Sequence, residues 1–218
     1  MIQARNISFA YKNCPPLFEN LSLTVSDGGL ILVSGPSGCG KTTLLYCLCG
    51  IIPRNISGSL SGEILIDGNP VAGISCAGLP RAVAMVFQEP GSKMFLPTIE
   101  DELAFAPENL CVPEEDIKQR ISYALELTGL TARQYENPAH LSGGQVKLSA
   151  LASVMAIPPR VLLIDEIIAG LDAPAVDKVL NCIELLRKQG CSVIVSDHNI
   201  KAWNELDGVS NLRIGSIN

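Results

Sequence analysis

The sequence predicts an α/β fold built on a parallel sheet, and three observations lead there. A glycine-bearing loop, Gly35-Pro36-Ser37-Gly38-Cys39-Gly40-Lys41-Thr42-Thr43, lies between an apolar strand pattern and a helix pattern. Val161-Leu162-Leu163-Ile164 is a short apolar run that ends in two carboxylates, Asp165 and Glu166. In the last third, strand, helix and strand patterns alternate at lengths that imply a parallel sheet with right-handed crossovers.

Taken in order, Ile2 to Phe9, Leu21 to Val25, Leu30 to Ser34 and Glu63 to Asp67 are rich in β-branched and apolar residues. Gly, Asn, Asp and Pro separate them, so each reads as a strand. A helix follows Lys41 and runs to about Cys49, and Ala82 to Phe87 is a further apolar strand. The middle is helical. Within Glu114 to Thr128 the residues Ile117, Ile121, Ala124, Leu125 and Thr128 keep helical spacing. Pro113 opens that helix at a permitted position, and Gly129 can close it. Gly144 to Ala156 predicts another helix, which stops before Pro158-Pro159. Val161 to Ile164 is then a buried strand. Pro174 to Gln189 is a helix with Val176, Val179, Leu180, Ile183 and Leu186 on one face, closed by Gly190. Ser192 to Ser196 is a strand. No internal repeat or low-complexity linker interrupts the series.

Length and composition bound what such a fold can do. The chain has 218 residues, enough for one large core or a core with a subdomain. Apolar residues make up 47% and the mean hydropathy is +0.30, which argues against disorder. Charged residues are 17%, below the roughly one quarter of ordinary globular chains, and so thin a charge hints that partners cover part of the surface. A net charge of −6 and a pI near 4.9 argue against nucleic acid as a partner. The apolar runs are far too short to cross a membrane. Met1 to Lys12 lacks the apolar stretch of a signal peptide, so the expected location is the cytosol. Eight cysteines, Cys14, Cys39, Cys47, Cys49, Cys76, Cys111, Cys182 and Cys191, form no CxxC pair and are expected to be reduced, buried thiols.

The loop at Gly35 to Thr43 fits G-x-x-x-x-G-K-[ST]. Small residues let backbone N–H groups curl around a phosphate, and the helix behind them points its positive end at the same anion. Lys41 can reach the β- and γ-phosphates of ATP, and the Thr42 hydroxyl can hold Mg²⁺. A chance match in a glycine-containing turn is the plain alternative, and the flanking strand and helix weigh against it. Asp165 and Glu166 supply an acidic element at a strand end, where a carboxylate can hold Mg²⁺. Neighbouring strand residues point opposite ways, so the two acids are expected to differ in role. Asp165 is assigned to the metal and Glu166 to polarising the attacking water. By itself, an acidic turn after a core strand would be the better account of that pair.

Leu141-Ser142-Gly143-Gly144-Gln145 narrows the reading. With this motif the sequence resembles the ATP-binding cassette (ABC) ATPases, and it does so over nearly the whole chain and in family order. The resemblance implies that Tyr11 stacks on adenine, that Gln88 in Val86-Phe87-Gln88-Glu89-Pro90 senses Mg²⁺ and the water, and that His198 contacts the γ-phosphate. Ala169-Gly170-Leu171-Asp172 is similar to the loop that communicates across the dimer, and Asp172 also suits a helix N-cap before Pro174. Taken singly, Tyr11 could be an ordinary strand aromatic, His198 a structural histidine and Gln88 a surface residue.

The family implies a head-to-tail pair of subunits. Residues Ser142, Gly143, Gly144 and Gln145 of one would close over the ATP held by Gly35, Pro36, Ser37, Gly38, Cys39, Gly40, Lys41, Thr42 and Thr43 of the other, with Ser142 and Gly144 donating to the γ-phosphate. The expected architecture is a P-loop NTPase: a RecA-like core, an N-terminal antiparallel β subdomain and a helical insert at about 89–159, in one domain over 1–218. The run Thr98-Ile99-Glu100-Asp101-Glu102-Leu103-Ala104-Phe105-Ala106-Pro107-Glu108-Asn109, with Ile51-Ile52-Pro53-Arg54 and Ser61 to Gly68, is similar to the energy-coupling factor ATPases of cobalt, nickel and vitamin importers. That likeness implies an ATPase subunit bound to a transmembrane partner on the cytoplasmic face of the membrane, as a homo- or heterodimer. A soluble ABC ATPase in cofactor assembly is the alternative.

Three departures from the family pattern stand out. Val146-Lys147-Leu148 lacks the usual arginine, Ile167-Ile168 replaces the Pro–Thr that often follows the acids, and Asp197 precedes the histidine where Thr or Ser is common. None removes a phosphate or metal ligand. With the sequence ending soon after Gly215, no C-terminal regulatory domain is expected.

Overall fold

A parallel strand buried on both faces needs a continuous apolar run, and the last third of the chain supplies two such runs. In the computed structural model, which describes residues 1–215, nine strands form two sheets. They are β1 (Ile2–Ala10), β2 (Phe18–Val25), β3 (Leu30–Ser34), β4 (Ser59–Ile66), β5 (Asn69–Pro70), β6 (Val83–Val86), β7 (Val161–Asp165), β8 (Ser192–Ser196) and β9 (Val209–Arg213). The longer helices are α1 (Lys41–Leu48), α2 (Ile99–Asn109), α3 (Glu114–Thr128), α4 (Gly143–Ala156) and α5 (Ala173–Lys188). One sheet has the order β6-β7-β8-β3-β9 and is parallel throughout. The other, β2-β1-β4-β5, is antiparallel. The α/β class and the parallel sheet expected from the sequence are borne out.

Every residue of β7 and β8 is buried. Their side chains alternate between two cores, as the period of a strand requires. Leu162, Ile164, Val193 and Val195 pack with residues of α2 to α5, whereas Val161, Leu163 and Ile194 pack with α1 and the antiparallel sheet. The parallel sheet is therefore the shared wall between a helical layer and a β layer.

Several boundaries follow from local chemistry. Glu114–Thr128 is helical as the spacing predicts, with Gly129 in the left-handed region at φ 71°. Asp172 caps α5 by accepting from the Ala175 N–H at 3.0 Å. The helix α2 is not foreseen by apolar spacing. It is fixed instead by a capping box, in which the Thr98 hydroxyl accepts from the Asp101 N–H at 3.1 Å and the Asp101 carboxylate accepts from the Thr98 N–H at 3.2 Å. Strand β9, also unforeseen, is a half-exposed edge beside β3.

The cysteines correct an expectation. All eight are free thiols, but only Cys47, Cys49, Cys182 and Cys191 are buried; Cys14, Cys76 and Cys111 lie exposed outside the regular elements, where no core covers them. Burial pushes the Cys47 thiol up to about 12, so that group stays protonated. Trp203, fully buried at the end of a short helical turn (Ile200–Trp203), packs into the helical core.

Strand β1 changes its buried side midway. Ile2 and Ala4 face inward, then Ile7 and Phe9 do, and the register against β4 shifts between Arg5 and Ser8. The bulge is made by Asn6 at φ 48°. Gly62 on β4 is in the left-handed region (φ 85°), and a Cβ there would lie 2.5 Å from the Asn6 carbonyl oxygen. Gly62→Ala is therefore expected to cost about 1–3 kcal/mol of stability, read as a lowered denaturant midpoint; an unchanged midpoint would mean that the bulge yields freely.

Candidate active site

The carboxyl ends of parallel strands are where an α/β sheet presents its loops, and the candidate residues collect there. The glycine loop follows β3, Gln88 lies two residues past β6, Asp165 ends β7, and His198 lies two residues past β8. A cavity of ≈ 430 Å³ brings together Tyr11, Ser37, Gly38, Gly40, Lys41, Thr42, Thr43, Gln88, Glu166 and His198. The remaining loop residues, Gly35, Pro36 and Cys39, do not line it; the Cys39 N–H donates to the Pro36 carbonyl at 3.3 Å.

Gly40 caps α1 at φ 100°, and a Cβ there would lie 2.5 Å from the Leu17 side chain. The left-handed φ is what favours glycine there. The Lys41 ammonium is folded across the loop, donating to the Gly35 carbonyl at 3.0 Å and the Pro36 carbonyl at 3.1 Å. With α1 aimed at the same space, the loop offers an anion a charge, N–H donors and the positive end of a helix. Tyr11 lies just past β1, and its hydroxyl shares a hydrogen bond with Thr43 Oγ1 at 2.9 Å. Its ring packs edge-on to Phe9, with centroids 4.8 Å apart.

Asp165 is 2% exposed. Its Oδ2 accepts from the Thr42 hydroxyl at 2.6 Å, and its Oδ1 has no partner among the described residues. A buried carboxylate with one orphaned oxygen fits a cation held beside Thr42. Gln88 turns its amide nitrogen toward Glu166, so its carbonyl oxygen is the atom a cation would use. These are hard oxygen donors, and among the described residues no group of three or more His, Cys, Asp or Glu is placed to hold a metal. Phosphate and water would have to complete the shell, which is how Mg²⁺ is usually held.

Glu166 departs from the reason given for separating it from Asp165. It is not the next residue of a regular strand. Its backbone turns into the left-handed region at φ 50° while its N–H donates to the Ser196 carbonyl at 2.7 Å. The turn, not strand alternation, swings its carboxylate into the cavity. There Oε2 accepts from the Gln88 amide at 2.9 Å, and Oε1 lies 3.1 Å from His198 Nε2. The side chain of Glu166 is 18% exposed and that of His198 54%, so the pair sits at the cavity mouth.

Ser142, Gly143, Gly144 and Gln145 do not join this cluster. They line a separate cavity of ≈ 620 Å³ together with Ala169 to Asp172. Ser142 caps α4, accepting from the Gln145 N–H at 3.3 Å, while the Gln145 side chain accepts from the Ser142 N–H at 2.9 Å. Sequence reasoning missed Lys147 as a participant. Its ammonium donates to the carbonyls of Glu166 at 3.2 Å and Ala169 at 2.7 Å. The available signal was its spacing, one helical turn beyond Gly143.

The family model described as ABC transporter matches residues 18–169. A protein described as an ABC transporter ATP-binding protein from Pyrococcus furiosus is 39% identical over 200 residues, covering 92% of this chain and 75% of that one. The energy-coupling factor transporter ATP-binding protein EcfA1 of Methanospirillum hungatei is 35% identical over 207 residues, covering 94% and 73%. Among solved structures, cbiO1 of Clostridium perfringens, described as part of the ABC transporter complex cbiONQ, superimposes with a TM-score of 0.81 at 27% identity, covering 98% of this chain and 86% of that one.

The Thr42–Asp165 contact gives a test of the site's own energetics. Thr42→Val strips the carboxylate of its only hydrogen bond among the described residues and should cost about 1–3 kcal/mol in the absence of nucleotide. Thr42→Ser should stay near the parent in the same denaturant titration. Equal stability of the two variants would show that the contact carries no energy.

Proposed function

Because this chain belongs to the ABC transporter family and is an ABC-type ATPase, we propose that it powers an importer of the energy-coupling factor kind, for a metal ion or a vitamin. The relative named EcfA1 and the likeness to cbiO1 support that assignment, as do Thr98 to Asn109 in the sequence.

One arrangement carries the catalytic part of the reading: Glu166 held between Gln88 and His198 at the mouth of the phosphate loop. Tyr11 stacks on adenine. Backbone N–H groups of Gly35 to Thr43 and the Lys41 ammonium bind the β- and γ-phosphates. Thr42, Asp165 and Gln88 are the residues that would hold Mg²⁺, which neutralises charge on the phosphates. Glu166 accepts the proton of the attacking water, and His198 steadies the γ-phosphate. Ser142 and Gly144 complete the opposite side from a second subunit, head to tail. The separation of the two cavities within one chain supports this, because a single chain offers its own phosphate loop and its own Ser142-Gly143-Gly144-Gln145 to different spaces.

A transmembrane subunit needs a seat. Between β6, α2 and α4 lies a mostly apolar cavity of ≈ 410 Å³, lined in part by Met85, Phe87, Met94, Glu102 and Val154. Phe95 and Phe105 stand nearby, exposed and packed edge-to-face at 5.3 Å. Large exposed aromatics beside an apolar groove suit a protein partner. Phe87 lines this cavity and the next residue, Gln88, lines the phosphate-loop cavity, so nucleotide state and partner could be linked through them. No described helix is long and apolar enough to cross a membrane.

Two experiments test the proposal. Glu166→Gln should keep ATP affinity, lower turnover by about 10²-fold or more, and accumulate an ATP-bound dimer by size-exclusion chromatography. Undiminished turnover would remove Glu166 from its role. Purification from the native membrane should recover a multi-span protein with the chain; recovery of soluble assembly proteins alone would sink the transport reading.

A further inference from the structure

Lys147 lies on α4, one turn past the Ser142-Gly143-Gly144-Gln145 loop, yet its ammonium is bonded to the turn that carries Glu166. It donates to the Glu166 carbonyl at 3.2 Å and the Ala169 carbonyl at 2.7 Å, so one cation clamps both ends of the segment 166–169. That segment is the one held in the left-handed conformation at Glu166. A second contact joins the same two parts. Gly144 lies so close to Leu171 that an added Cβ would approach its side chain to 3.2 Å. The start of α4 therefore rests on the loop 166–171 at two points, one polar and one apolar.

A third element acts on the cation through its charge, without pairing with it. Asp197, which ends the run from β8 toward His198, is 2% exposed. One of its oxygens accepts from the Asn199 N–H at 2.9 Å, and the other has no partner among the described residues. Burial pushes the Lys147 ammonium down, and the carboxylates of Asp197 and Glu166 oppose that push. Lys147 and Asp197 are both positions at or beside which this sequence departs from its family's pattern. Together they put a positive charge and a buried negative one where α4, the Glu166 turn and the His198 segment converge.

We propose that Lys147 is a positioning residue that carries a displacement of the Ser142–Gln145 loop to Glu166, so that nucleotide engaged by that loop sets the geometry of the chain's own catalytic carboxylate. A rigid helix start, anchored by the Ser142 cap, moves as a body. Its ammonium is bonded to the carbonyl of Glu166 itself, and a shift of about 1 Å at a reacting group can cost 10²-fold in rate. This rests on the reading of Glu166 and of the head-to-tail dimer given above.

The test uses the full chain in its membrane complex, with ATP turnover as the readout. Lys147→Met should lower kcat by about tenfold to a hundredfold while KM for ATP stays within about twofold, and Lys147→Arg, which keeps the charge and the donors, should recover most of the loss. Ser142→Ala combined with Lys147→Met should lose little more than the worse single variant, because both interrupt one path. Should Lys147→Met fail to fold, Lys147→Gln replaces it in the same set. Parent-like kcat in the Lys147 variant, a double variant whose loss is the product of the two singles, or failure of arginine to rescue overturns the proposal. Glu166→Gln, run alongside, separates the causes. If it is inactive while Lys147→Met is unaffected, only the Lys147 role falls. If Glu166→Gln turns over normally, the reading of Glu166 falls and takes this proposal with it.

Discussion

A strand covered on both faces must find apolar neighbours on both, and β7 and β8 do so by sending alternate side chains into two different cores. The rest of the molecule depends on that arrangement. It locks the register of the parallel strands, because a shift of one residue would exchange the side chains destined for the helical layer with those destined for α1 and the β layer. With the strands fixed, their carboxyl ends are fixed too. Asp165 reaches Thr42, Glu166 reaches Gln88 and His198, and the phosphate loop opens beside them.

The site is consequently buried on one side and open on the other. Its floor is a buried carboxylate under a helix start, and its mouth is a half-exposed histidine. The α4 loop belongs to the same chain but to another cavity. Under the head-to-tail arrangement proposed above, one chain would offer each nucleotide only half of its contacts, and association of subunits would become part of forming the active site. The link from α4 back to the Glu166 turn, through Lys147 and Leu171, joins those two halves within one molecule.

What the sequence made legible was whatever one local rule dictates. Glu114–Thr128 has strong apolar periodicity, a proline before it and a glycine after it, and its predicted and observed ends coincide. Ser192–Ser196 is an uninterrupted buried strand, legible to the residue. The phosphate loop is legible because its spacing is dictated by the anion. The helix Ile99–Asn109 is hidden because three acids in its first turn and Pro107 within it dilute the apolar signal, while its true marker is the Thr98–Asp101 capping box. Strand β9 is hidden because an edge strand with Ser210 and Asn211 exposed lacks the pattern of its buried neighbours. The β1 bulge at Asn6 and the left-handed turn at Glu166 depend on long-range contacts, to Gly62 and to Ser196, that no short window contains. Lys147 stands out in the sequence only as part of a departure, because its partners are backbone carbonyls about twenty residues away.

Trp203 is the chain's single tryptophan, it is fully buried, and it lies five residues beyond His198 on the same short segment. Its indole N–H has no hydrogen-bond partner among the described residues. An indole in so apolar a setting responds in the wavelength and yield of its emission to small changes in polarity around it. The molecule thus carries its own optical probe a few residues from the histidine at the mouth of its site. Because no second indole contributes background, movement of that segment during a catalytic cycle is open to time-resolved fluorescence without attaching a dye.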